Sequence, residues 1–368
     1  MSYYEKELSA LKKVNRFRER KLYKKELVDL ASNDYLGLSS KKKLLKKVYK
    51  KVKKEQYFSP KASMIVNGYS NIHKKFEKLL CKTNEFEDAI ALGSGFLANI
   101  SLLESLARKR DVLFIDEEYH ASGILASKLS DASIVFFNHN DTKELENKIK
   151  LHNKRGRVII AIEGVYSMGG DIAPKEFVDI ANRYDAILIV DEAHSSGVIG
   201  KNLLGWYDYH HIKPEKNHIK MGTLGKAYGS YGAYILASNE IISYLENRAK
   251  PIIYSTAPSL FDIALAYENL KYILKHKKKI QKKIQKREKI VKKILGIKTD
   301  SLIVPIVFNN NQKVLDIQKK LIKKGYLVGA IRQPTVKQAI IRMIIKLDIK
   351  KHTLKKVCKL LVKPAIKE

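Results

Sequence analysis

Two cysteines in 368 residues, Cys81 and Cys358, are too few for a disulfide framework or a cysteine metal cluster, and they suit a reducing compartment such as the cytoplasm. No stretch approaches the roughly 18 apolar residues that a membrane span needs, and the opening Met1-Ser2-Tyr3-Tyr4-Glu5-Lys6 has no apolar signal core. Acidic residues are scarce: 38 against 71 basic ones, a formal charge of +33. Arginine is scarcer, 12 of those 71, with 59 lysines scattered along the chain. Nucleic-acid readers use arginine forks on base edges, and here the lysines are not interleaved with stacking aromatics, which argues against nucleic acid as a partner. The lysines read as solvated helix faces; the alternative is a surface that attracts an anionic substrate or partner, such as coenzyme A or an acidic acyl carrier protein. A phosphate loop of the G-x-x-x-x-G-K-[ST] type is also missing. Gly197 to Asn202 has the wrong spacing and no hydroxyl after its lysine, so Asp191-Glu192-Ala193-His194 is not a helicase box.

What is present is a large apolar fraction, 45%, enough for a substantial core and more than one domain. From Ala89 to about Tyr234, strand-like runs (Val112–Ile115, Ser133–Phe137, Val158–Glu163, Ala186–Asp191) alternate with helical segments (Gly95–Ala107, Pro174–Tyr184). That alternation predicts an α/β fold with a mainly parallel sheet covered by helices. Leu8, Leu11 and Val14 at helical spacing predict a basic amphipathic arm over residues 1 to about 30, and Lys41–Lys54 a second lysine-rich helix. A long helix from about Leu270 to Leu295 leads into a smaller α+β carboxyl-terminal region with strands at Ser301–Phe308 and Ile341–Lys346 and a last helix at Thr353–Val362. The expected division is an amino-terminal segment (1–45), a large domain (46–240), and a connecting helix with a small domain (241–368).

Two stretches carry chemistry. Ile187–Val190 is an unbroken apolar strand that ends abruptly in Asp191, and such strand ends face the crevice where α/β enzymes bind ligands. Thr223-Leu224-Gly225-Lys226-Ala227 sets one lysine among small residues, where its amine can approach a bound group. A carboxylate at a strand end and such a lysine are what a pyridoxal phosphate (PLP) enzyme requires: the lysine reacts with the aldehyde, and the acid keeps the pyridine nitrogen protonated.

Further ordered motifs run alongside: Ala31-Ser32-Asn33-Asp34-Tyr35-Leu36-Gly37-Leu38, Ser94-Gly95-Phe96-Leu97-Ala98-Asn99, His120-Ala121-Ser122, Glu163-Gly164-Val165-Tyr166-Ser167-Met168 and Ile253-Tyr254-Ser255-Thr256. With these the chain resembles the α-oxoamine synthases, PLP enzymes of fold type I, over roughly Arg16 to Leu360. The resemblance implies a seven-stranded, mainly parallel sheet in the large domain. It implies that Lys226 holds the cofactor, Asp191 pairs with its pyridinium nitrogen, His194 reaches its phenolic oxygen, and His120 stacks on the ring and touches substrate. Gly95 and Phe96 would offer backbone amides to the phosphate, Thr223 a hydroxyl, and Ser167 a contact near the phenolic oxygen. Ser255 and Thr256 would reach the phosphate of a neighbouring subunit, which makes a homodimer the expected unit. Read singly, His120 and His194 are satisfied polar residues at strand ends, and Thr223 and Ser167 ordinary turn residues. His73, His139, His210, His211 and His218 belong to no motif and read as surface or structural.

Ile331-Arg332-Gln333-Pro334-Thr335-Val336 resembles the loop of the branch of this family that serves biotin biosynthesis. That branch condenses L-alanine with pimeloyl-CoA or pimeloyl carrier protein and releases carbon dioxide. Thr335 would contact substrate, Arg332 could hold a carboxylate, and Arg18 is the best match to an arginine that meets the acyl substrate, with Arg16 and Arg20 close competitors. Three positions depart from the pattern: Gln333 stands for a proline, Met64 for an arginine, and Ile344 for the second arginine of an Arg-x-Arg pair, which leaves open the residue that grips the amino-acid carboxylate. The alternatives are a sister enzyme that condenses glycine with acetyl-CoA, and a non-catalytic basic binding protein of the same fold.

Overall fold

The computed structural model describes residues 3–152, 156–308 and 310–365. Its strands are β1 Val28–Leu30, β2 Asp88–Leu92, β3 Val112–Asp116, β4 Ser133–Phe137, β5 Val158–Glu163, β6 Ile187–Asp191, β7 His218–Thr223, β8 Ala233–Ala237, β9 Ile303–Val307, β10 Tyr326–Ile331 and β11 Ile340–Ile344. The chain divides into two compact units. One comprises Leu36–Ser167 and Asp171–Lys282; the other takes the amino-terminal residues through Tyr35, Met168–Gly170, and the chain from Lys283 onward.

The larger unit is built on a seven-stranded sheet in the order β2-β8-β7-β6-β5-β3-β4. Only β8 runs against its neighbours β2 and β7; the remaining pairs are parallel. This is the α/β, mostly parallel architecture that the alternation predicts. Every residue of β5 is buried, and so are four of the five in β6, because helices cover both faces of a central parallel strand. The apolar core gathers Leu102, Leu103 and Leu106 from the helix Gly95–Leu106, with Ile159, Ile189, Ile219 and Ile235 from the strands. Helix Lys42–Val52 has Leu44, Val48 and Val52 buried and its lysines outward.

Chain order explains where a ligand can sit. After β3 the chain adds β4 at the sheet edge, then returns across β3 to lay down β5, β6 and β7 on its other side. A reversal of this kind opens a crevice at the carboxyl ends of the strands. Because β8 is antiparallel to both β2 and β7, β2 runs with β7, so the carboxyl ends of β2, β3, β5, β6 and β7 share one edge.

The smaller unit has a four-stranded sheet, β1-β10-β11-β9, in which β1 runs parallel to β10 and the other pairs are antiparallel. Helices Asn311–Lys323 and Lys351–Ala365 accompany it. The predicted helical arm is much shorter than its hydrophobic spacing suggests. Its helix spans only Glu5–Lys13, and Leu8, Leu11 and Val14 are exposed. Asn15 adopts positive φ (56°), and the amides of Arg16 and Phe17 both turn back to the Leu11 carbonyl, which ends the helix and leaves residues 16–24 without regular structure. Met1 and Ser2 lie outside the described residues. No described helix is long and apolar enough to cross a membrane.

Candidate active site

Five strand ends deliver the predicted residues of the larger unit, Ser255 and Thr256 apart, to one edge of its sheet. β2 leads into Gly95 and Phe96, β3 into His120, β5 into Ser167, β6 ends in Asp191 ahead of His194, and β7 ends in Thr223 ahead of Lys226. Lys226 Nζ lies 2.7 Å from Nε2 of the buried His194. Asp191 is 3% exposed; its Oδ1 accepts from the Ala193 amide (2.9 Å) and its Oδ2 from Asn99 Nδ2 (3.1 Å), so the carboxylate is held at both oxygens. Asp191 and Lys226 act on the same neighbours: each perturbs the ionisation of both His120 and Glu163.

His120 caps the helix Ala121–Ser127, its Nδ1 accepting from the Ser122 amide at 3.2 Å and lying 2.7 Å from Ser122 Oγ. Burial away from water pulls its pKa below the ordinary histidine value; Asp191 opposes this and Lys226 assists it. Glu163 is the cross-strand neighbour of Asp191. Burial first, and then the adjacent Asp191 charge, push its carboxyl well above the usual range. Glu163 Oε2 accepts from the Ser167 amide (3.0 Å), which fixes the turn carrying that residue. Glu192, the second acid of the Asp-Glu-Ala-His box, is a structural group. It is fully buried, accepts from Ser195 Oγ and the Trp206 amide at 2.6 Å, and pairs with buried Lys220 at 3.4 Å.

The residues fit PLP. Thr223 Oγ1 is buried and makes no hydrogen bond within the protein. Beside it begins the helix Gly95–Leu106, whose first-turn amides have no carbonyl a turn earlier to bond and carry the positive end of the helix dipole. Gly95 makes this corner possible: a Cβ there would stand 2.6 Å from Thr223 Cγ2. The Leu97 amide is taken by the Ser94 hydroxyl (3.3 Å); an unsatisfied hydroxyl beside the Gly95 and Phe96 amides is a corner for an anion such as a phosphate, and a carboxylate anchored at both oxygens suits a pyridinium N–H. Among the described residues no group of histidine, cysteine and acid could hold a metal ion.

Ser255 is half-buried and Thr256 exposed; they precede Ala257, whose amide donates to the Ala62 carbonyl (2.9 Å). Apart from His120, the predicted substrate residues lie in the smaller unit, where Arg18, Arg332 and Thr335 come together. Arg18 Nη2 donates to Thr335 Oγ1 (3.2 Å), and Arg332 Nη1 donates to the backbone carbonyl of Asn15. Thr335 belongs to the loop that contains the cis Gln333–Pro334 bond. Arg342 is buried and donates to Asn33 Oδ1 (3.0 Å), while Ile344 is fully buried in β11. Asn99, Tyr119, Ser122, Asn33 and Glu163 carry no role in the reading of the sequence, although all but Tyr119 stand inside recognised motifs.

The aminotransferase class I and II family model matches residues 25–361. An 8-amino-7-oxononanoate synthase of Helicobacter pylori strain J99 is 45% identical over 345 residues, 94% of this chain and 92% of that protein. A putative 8-amino-7-oxononanoate synthase of Aquifex aeolicus is 35% identical over 350 residues, 93% of this chain and 92% of that one. Among solved structures, the 8-amino-7-oxononanoate synthase of Francisella tularensis superposes with a TM-score of 0.79 at 27% identity, covering 93% of this chain and 98% of that chain. A serine palmitoyltransferase from S. paucimobilis, solved with a bound PLP–myriocin aldimine, shares the fold with a TM-score of 0.89 at 21% identity, over 100% of this chain and 99% of that one.

Proposed function

The chain belongs to the aminotransferase class I and II family, and from that membership we propose that it is a PLP-dependent acyltransferase that makes 8-amino-7-oxononanoate in biotin biosynthesis. It condenses L-alanine with a pimeloyl thioester, releasing carbon dioxide and free coenzyme A or carrier. The observation that carries this reading is the pairing of Lys226 with His194 at the same strand-end edge as an anchored Asp191, in a chain 45% identical to an enzyme of that name.

PLP supplies an aldehyde for an amine and a ring that takes up the electron pair of the adjoining carbon. Lys226 holds it through Nζ, Asp191 keeps its ring nitrogen protonated, and His194 and Ser167 meet its phenolic oxygen. Gly95 and Phe96 amides and the Thr223 hydroxyl hold the phosphate, and Ser255 and Thr256 do so for the second copy of a homodimer. His120 orients the ring and meets the substrate. An amine of ordinary pKa near ~10.4 is a poor base at neutral pH; once the incoming amine of alanine has displaced it from the aldehyde, Lys226 Nζ, in a partly dry site next to His194, would take the α-proton of alanine. Arg18 contacts the acyl substrate, Thr335 the substrate and Arg332 a carboxylate; the bond from Arg18 to Thr335, and that from Arg332 to the Asn15 carbonyl three residues before Arg18, support a common role. We assign the reaction to the cytoplasm, consistent with two free cysteines.

Incubating the purified protein with alanine and pimeloyl-CoA, and separately with the carrier-bound acyl group, should yield 8-amino-7-oxononanoate by mass spectrometry. Lys226→Ala should abolish it together with the visible absorbance of bound cofactor. A Lys226→Ala protein with full turnover would overturn the proposal, as would product from glycine and acetyl-CoA alone.

A further inference from the structure

We propose that Asn99 is a positioning residue that joins Asp191 to His120: one carboxamide holds the aspartate and, through Ser122, fixes His120 as the tautomer with its proton on Nε2. The inference rests on the PLP reading only for its consequence at the cofactor.

Asn99 sits one turn into the helix Gly95–Leu106 and is 1% exposed. A buried carboxamide is costly unless its donors and acceptor are used, and here they are. Nδ2 donates one hydrogen to Asp191 Oδ2 at 3.1 Å and the other to Ser122 Oγ at 3.0 Å, while Oδ1 accepts from the buried Tyr119 hydroxyl at 2.8 Å. The reversed amide would set its oxygen against the Asp191 carboxylate, so the network dictates the orientation.

That orientation propagates. Ser122 Oγ accepts from Asn99, so its own hydrogen goes to His120 Nδ1, 2.7 Å away. The Ser122 amide points at the same nitrogen from 3.2 Å. With two donors aimed at Nδ1, the ring's proton belongs on Nε2, leaving His120 a neutral ring that presents an N–H donor. A cationic His120 would turn a proton against both donors. The charges that face the ring are Asp191, which favours the cation, and Lys226, which opposes it. One residue thus sets both the carboxylate meant for the pyridinium and the proton pattern of the histidine meant for the ring face, over sequence separations of 92 and 21 residues.

The test uses the cofactor-free full chain with ¹⁵N-labelled histidine rings. Wild-type His120 should show the Nε2–H tautomer. In Ser122→Ala and Asn99→Ala the ring should titrate about half to one pH unit higher, the size of one neutral hydrogen bond. Tyr119→Phe, which leaves both Asn99 donors in place, should lose stability without moving His120. In a second arm, the PLP dissociation constant read from visible absorbance should rise about tenfold in Asn99→Ala and stay within about twofold in Ser122→Ala. A folded Asn99→Ala with wild-type tautomer and titration overturns the proposal; if that variant does not fold, an unmoved His120 in Ser122→Ala does so. A wild-type chain that takes up no PLP would sink the functional reading and leave the ring measurement to decide this one.

Discussion

Replacing Thr223 by valine should stabilise the cofactor-free protein and weaken cofactor binding at once, a sign reversal that no purely structural role produces. Thr223 Oγ1 is buried without a hydrogen-bond partner in the protein, and a buried hydroxyl in that state costs on the order of 1 kcal/mol or more. Valine keeps the branched shape and the methyl that lies against Gly95, and removes the unsatisfied oxygen. Chemical unfolding of the cofactor-free protein should therefore show Thr223→Val more stable by about 1 kcal/mol. With PLP bound, the same oxygen has a phosphate to meet, and a hydrogen bond to a charged group contributes about 1.5–3 kcal/mol. The dissociation constant, titrated by visible absorbance, should rise roughly ten- to 150-fold. At a PLP concentration that saturates the wild type, melting temperatures should then order oppositely to those of the free proteins. A variant that is less stable without cofactor and binds PLP as tightly as wild type would refute the assignment of this corner to the phosphate.

Other perturbations test the frame around the site. A Cβ on Gly123 would stand 2.0 Å from Tyr119 Cε1, so Gly123→Ala should cost about 1–3 kcal/mol in chemical unfolding and displace the tyrosine that bonds Asn99; unchanged stability would contradict the packing. His139 lies between Asp116 (3.1 Å) and Asp171 (2.8 Å); burial lowers its pKa, but these two acids outweigh it and raise it to about 10. Because the folded value exceeds the unfolded one, near 6.5, this pairing stabilises fully below pH 6.5 and is lost as pH rises through 10. His139→Asn should remove on the order of 2 kcal/mol at pH 6 and close to none above pH 10; an equal loss at both would refute the ion pairing. Arg332→Ala should raise KM for the acyl or amino-acid substrate at least about tenfold while leaving PLP absorbance unchanged; loss of the absorbance instead would move Arg332 into the cofactor site.

The parts of the fold legible in sequence were those with a one-dimensional signature. β5 and β6 are continuous apolar runs ending in Glu163 and Asp191 because the sheet buries both their faces. The same property made the strand-end acids conspicuous. β8, Ala-Tyr-Ile-Leu-Ala, is as fully buried, but its antiparallel insertion between β2 and β7 is a matter of pairing and leaves no periodic trace. Hydrophobic spacing overextends the arm, because it says where a helix could form while Asn15 at positive φ decides where it stops. Lys226 and Asp191 stood out as residue types with evident chemistry. Asn99, Ser122 and Tyr119 did not, since an asparagine in a helix acquires its role only when residues 20 to 92 positions away converge on it. Likewise Arg332 and Asn15 meet across 317 residues of chain.

Reduction of the loaded enzyme with borohydride, followed by peptide mass spectrometry, addresses the central claim most directly, because 59 lysines compete for the aldehyde. The pyridoxyl group should be recovered on the peptide containing Lys226 and on no other. Recovery on a different lysine, or a spread over many, would contradict the account.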